Sequence, residues 1–78
     1  MPNTVDVAQF MLDNLKESNS MYQIDIVYDI ENIYGNNFVY ENKHGNMAIE
    51  KKVLTAFGKL KKEYNIEWDK SEKAWFLN

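Results

Sequence analysis

The 78-residue sequence contains no cysteine and no arginine, a single histidine, one proline and three glycines. Without cysteine, neither a disulfide framework nor a zinc-thiolate centre can brace the chain. Without arginine there is no planar fork to grip a guanine edge or a phosphate through two parallel bonds, which argues against sequence-specific reading of DNA. One histidine, His44, and three serines, Ser18, Ser20 and Ser71, in expected caps or turns give no nucleophile with a base and an orienting group. The glycines are scattered, and Gly58-Lys59 falls inside a predicted helix without the spacing of a phosphate-binding loop. No apolar run approaches a membrane span, and Met1 to Asp13 has neither a basic start nor the apolar stretch of a signal peptide. With no Asn-x-Ser/Thr site either, the expected location is the cytoplasm.

What is present is aromatic and acidic. Eleven Phe, Tyr and Trp residues supply large buried areas with few rotatable bonds, which suits one small domain spanning residues 1–78. The net charge of −3 is unevenly spread. Residues 1–42 carry seven carboxylates against Lys16, whereas residues 43–78 carry eight lysines against five carboxylates, balances of −6 and +3. Such asymmetry suits a nucleic-acid-facing surface, or two faces that attract one another within the fold or in a dimer.

Val5, Ala8, Met11, Leu12 and Leu15 recur at helical spacing behind Asn3 and Thr4, predicting a helix over roughly 4–17. Ser20 and Gln23 have the form of a capping box ahead of a second helix over 21–34, with Tyr22, Ile26, Ile30, Ile33 and Tyr34 inward and Gly35 as the stop. Its β-branched run, Ile24 to Ile30, makes a strand the rival reading. Phe38-Val39-Tyr40 reads as a brief strand before the turn Asn42-Lys43-His44-Gly45. Asn46 is expected to cap a third helix, about 47–64, buried through Ile49, Val53, Ala56, Phe57, Leu60 and Tyr64. Gly58, on the opposite side, costs this helix about 1 kcal/mol relative to alanine. Ile66 to Leu77 reads as a β-hairpin with Ile66 and Trp68 on one face.

The expected fold is therefore α+β: three helices, a short strand and a C-terminal β-hairpin, the element list of a winged-helix-like domain. A connection of roughly 12 residues between the second and third helices is longer than the 3 to 4 of a helix-turn-helix.

At 100° per residue, Lys51, Lys52, Thr55, Lys59 and Lys62 share one side of the third helix, opposite its apolar stripe. Lys70 and Lys73 extend the positive charge to the hairpin turn, as a wing would. These seven residues are the candidate nucleic-acid-binding set, and the competing reading is a solvated face or one paired with the acidic second helix. Ile24 and Tyr28, four apart and away from the inward stripe, are the candidate protein-interaction pair. Asp25 and Asp29 share that spacing but are too few for an oxygen-ligand metal site, so no metal is expected.

Phe38-Val39-Tyr40-Glu41-Asn42, Gly45-Asn46, Ala48-Ile49, Val53-Leu54, Ala56-Phe57 and Trp68-Asp69 with Ala74-Trp75 together give a pattern that resembles a family of small uncharacterised bacterial and phage proteins of winged-helix-like outline. The resemblance runs over roughly residues 5–77 and implies a fold and an origin, and no functional residues. Basic residues tend to follow the second tryptophan in that pattern; here Phe76-Leu77-Asn78 follow Trp75. The sequence thus points to a non-enzymatic binding module without cofactor or small-molecule substrate. The expected partner is nucleic acid, held weakly and in a salt-sensitive way, or alternatively a protein or a second copy of the chain.

Overall fold

The computed structural model describes residues 2–78. Helix α1, Thr4–Ser18, opens with a reciprocal cap: the Asp6 amide donates to Asn3 Oδ1 at 3.0 Å, and the Asn3 amide to Asp6 Oδ2 at 2.9 Å. Val7, Ala8, Met11, Leu12 and Leu15 form its buried side; Val5, expected on that side, is 65% exposed, and Val7 takes its place because it falls on the same phase as Met11. Asn19 ends it in the left-handed region (φ 64°), donating its amide to the Leu15 carbonyl at 2.7 Å.

The turn at Asn19 throws the chain into strand β1, Ser20–Tyr22, which the sequence reading missed. Ser20 does not cap a helix. It pairs with Phe76 in an antiparallel ladder, and Leu77 donates to the Asn19 carbonyl at 3.0 Å. A local cap satisfies one or two backbone donors; the ladder satisfies a run of donors and acceptors and buries Met21 as well. Helix α2, Gln23–Tyr34, therefore starts two residues later than expected, behind Tyr22, with no side-chain cap. It stops at Gly35 (φ 82°), whose amide reaches the Glu31 carbonyl at 2.9 Å. Its buried side is Ile26, Val27 and Ile30, with Tyr34 half-buried. Tyr22 and Ile33, expected inside, are exposed, Ile33 by 59%.

After one 3-10 turn, Asn36–Phe38, strand β2, Val39–Glu41, pairs with strand β3, Met47–Ile49. Asn46, expected to cap the third helix, instead belongs to the loop of this hairpin. Its amide and that of His44 donate to Asn42 Oδ1, while its carbonyl accepts from the Asn42 amide at 2.8 Å. Gly45 supplies the positive φ, 80°, that the reversal needs. Helix α3, Lys51–Tyr64, begins four residues later than expected, with Glu50 at its N-cap and no side-chain cap. Ile49 is still buried, but from a strand. Strands β4, Ile66–Asp69, and β5, Ala74–Leu77, complete the expected hairpin.

The fold is α+β: three helices, a three-stranded antiparallel sheet of order β1-β5-β4, and the two-stranded β2-β3 sheet. The expectation of one strand outside the hairpin is corrected to three. Met21, Trp75 and Trp68 stand in register across the large sheet and face the helices with Ile66. Ile66 is buried, whereas Trp68, at the sheet edge, stays 37% exposed and lays its ring against Trp75 at 4.6 Å. Phe57 of α3 fills the space between sheet and α1, fully buried beside Met11, Leu12, Leu15 and Val53. Among the described residues no polar or charged side chain is buried. Lys16 of α1 sits 4.7 Å from the Tyr64 ring centre, a contact of about 0.5–1 kcal/mol at an exposed site, which ties α1 to the end of α3.

Candidate nucleic-acid interface

Val53 and Phe57 turn one side of α3 into the core, and Lys51, Lys52, Thr55, Lys59 and Lys62 all emerge on the other, exposed. The Thr55 hydroxyl donates back to the Lys51 carbonyl at 3.0 Å, which holds it against the helix. Glu63 is the single carboxylate on α3. Two lysines in an uncapped first turn place positive charge at the positive end of the helix dipole, an unfavourable choice for helix stability. Glu50 at the N-cap sets one carboxylate beside these two lysines.

The β4–β5 turn carries Lys70 and Lys73, both exposed. Asp69 organises it: Asp69 Oδ1 accepts from the Ser71 hydroxyl at 2.7 Å, the Ser71 amide at 2.9 Å and the Glu72 amide at 3.0 Å. The Ser71 hydroxyl bond, followed by the Glu72 amide, holds the Asp69 carboxyl below its usual pKa. Lys73 lies in the left-handed region (φ 52°), and its carbonyl accepts from the Gln23 amide at 3.0 Å. The turn is thereby fastened to the start of α2.

That bond brings Lys73 to the second candidate region. Ile24 and Tyr28, 69% and 50% exposed, line a groove of about 360 Å³ with Tyr22, Met47 and Ala48, and Glu72 and Lys73 close one end. Of the seven residues in the nucleic-acid-binding set, Lys73 alone lines this groove. Asp25 and Asp29 are exposed on the same helix. Among the described residues no group of three or more His, Asp or Glu side chains is placed to hold a metal ion. No helix among them is long and apolar enough to cross a membrane.

A second, shallower hollow lies on the flank of α3, with Gly58 in its lining beside Lys61, Lys62, Asn65, Ile66 and Glu67. The lysine stripe read from the sequence does not include Lys61, and Gly58, placed opposite the apolar stripe, counts there only as a cost to the helix. The signal available was that the glycine lies on the charged side.

No curated protein and no solved structure matches this chain. A family model does match, over residues 3–77, which is nearly the whole chain and every element described above, and on that basis the chain belongs to the Family of unknown function (DUF6953).

Proposed function

We propose that the chain is a non-enzymatic binding module that holds nucleic acid through Lys51, Lys52, Thr55, Lys59 and Lys62 of α3, with Lys70 and Lys73 of the β4–β5 turn. The observation that carries this reading is the emergence of all five α3 residues on one side of a helix with a single carboxylate. The element order is compatible with a winged-helix-like reading: α1, β1, α2, the β2-β3 hairpin, α3 and the β4–β5 hairpin, with β1 added to the edge of that last hairpin. In it α3 takes the place of the helix that meets the duplex.

Lysine alone makes point-charge contacts with phosphates, so the binding is weak and tolerant of sequence. Each phosphate neutralised contributes about 0.9 to the slope of log K against log salt. The reading places the protein in the cytoplasm. It is tested by an amide NMR titration with a short mixed-sequence duplex at low and moderate salt. Shifts clustered at Lys51–Lys62 and Lys70–Lys73 that fade with salt are expected; a salt-independent response would sink the mechanism.

A second reading rests on the groove beside Ile24 and Tyr28. Two large apolar side chains half or more exposed on one helix suit a protein partner or a second copy of the chain. Sedimentation of a strict monomer at high concentration would remove the homodimer form.

A further inference from the structure

Gly58 lies in the interior of α3, where glycine is the poorest helix former apart from proline. Nothing within the molecule requires it. Its φ is not positive, and a Cβ built at this position meets no atom within 4 Å. The intramolecular reasons for a mid-helix glycine, a close-packed neighbour or a left-handed backbone, are therefore both absent. Gly58 leaves bare backbone in the lining of the hollow between α3 and β4, in which Lys61 and Lys62 stand one turn further along the helix. Lys61 is half-buried there, its stem packed along the hollow.

We infer that this hollow is the point of closest approach of a nucleic-acid phosphate, admitted against the bare backbone of Gly58 and held by Lys61 and Lys62. The inference rests on the nucleic-acid reading and adds a site to it, since neither Gly58 nor Lys61 belongs to the lysine stripe. A phosphate at this depth comes nearer to both ammonium groups than one resting on a methyl group, and ion-pair attraction rises as the separation falls. Glu67 on the opposite wall sets a limit to this charge. Asn78 completes the lining, so the attraction for an anion rests on Lys61 and Lys62.

The experiment compares the full chain with Gly58→Ala and Lys61→Gln, each by thermal melt and by titration with a short mixed-sequence duplex over a series of salt concentrations. Gly58→Ala is expected to raise Tm by about 4–8 °C, because alanine favours the helix and the added methyl group enters open space. The same variant is expected to bind the duplex more weakly, with the salt slope reduced by about 0.9, the mark of one phosphate fewer. Lys61→Gln is expected to reduce the slope similarly without the rise in Tm. A Gly58→Ala protein that is more stable and binds duplex unchanged, while the stripe variant Lys59→Gln weakens binding, overturns the hollow and leaves the wider reading standing. A parallel titration with inorganic phosphate separates the remaining case. Shifts at Gly58, Lys61 and Lys62 with phosphate and none with duplex would keep the anion site and overturn the nucleic-acid reading.

Discussion

The ring of Phe57 stands edge-on to the indole of Trp75, centroids 5.5 Å apart and planes at 83°. This contact fixes the lysine-bearing helix to the central strand of the sheet, because Phe57, fully buried like Val53, lies behind the charged side of α3. Trp68 stacks at a tilt on the outer side of Trp75, so three rings run from the core to the sheet edge. Phe57→Ala removes the middle of the α3 packing and leaves a cavity, and is expected to destabilise the protein by about 3–5 kcal/mol. In a domain of this size that approaches the whole stability. Urea denaturation followed by tryptophan fluorescence checks it, with Phe57→Leu as the milder comparison.

The reciprocal bonds between Asn3 and Asp6 hold the exposed start of α1, where no tertiary packing substitutes for them. Asn3→Ala is expected to cost about 0.5–2 kcal/mol. Asp6→Asn keeps part of the geometry and removes the charge at the positive end of the helix, so it is expected to cost less, about 0.3–1 kcal/mol. Parallel denaturation curves with equal slopes for the two variants check that the effect lies in the native state.

How much of this was legible in the sequence divides by the range of the interaction that decides each element. α1, the stop of α2 at Gly35 and the C-terminal hairpin are fixed by local signals, and the structure has them where the residues placed them. β1 and β3 are not. Ser20 looks like a cap until Phe76, 56 positions away in sequence, offers it a ladder, and Asn46 looks like a cap until the loop turns it back to Asn42. Three-residue strands are too short to show alternation: β2 was legible only through its aromatic and β-branched residues, whereas β1 and β3 carry no such signal and are revealed by their partners. The lysine stripe was legible because α3 is long and its apolar phase is strict. The groove beside Ile24 was half legible: the exposed pair follows from helical phase, whereas its other wall comes from β3, which the sequence concealed.

Asp69 gives the hairpin turn a pH dependence of definite sign. Its pKa is lowered in the folded protein, first by the Ser71 hydroxyl and then by the Glu72 amide, both of which donate to the charged form. A group whose folded pKa is depressed contributes stability that is present above the unfolded value, about 3.9, and is lost as pH falls through the folded value. Ser71→Ala removes the larger cause. It is expected to bring the Asp69 pKa back toward the ordinary carboxylate range, read directly from the side-chain carboxyl resonance in an NMR pH titration. An unchanged Asp69 titration in Ser71→Ala would mean that the hydroxyl bond does not persist in solution.

Lys51 and Lys52 set stability against binding within two residues. They occupy the first turn of α3, which has no carboxylate and no side-chain cap, so each sits where the helix dipole disfavours a cation. Replacing either with glutamate reverses the interaction and is expected to stabilise the helix by about 0.3–1 kcal/mol, seen as a higher Tm. If these lysines meet phosphate, the same replacements weaken duplex binding and lower the salt slope by about 0.9 or more for each phosphate no longer neutralised. A variant that is more stable yet binds less would account for lysine at an unfavourable position by the ligand it serves. A variant that gains stability and binds duplex as before would confine the footprint to the C-terminal half of α3, where Lys61 and Lys62 in the last turn complement the dipole instead of opposing it.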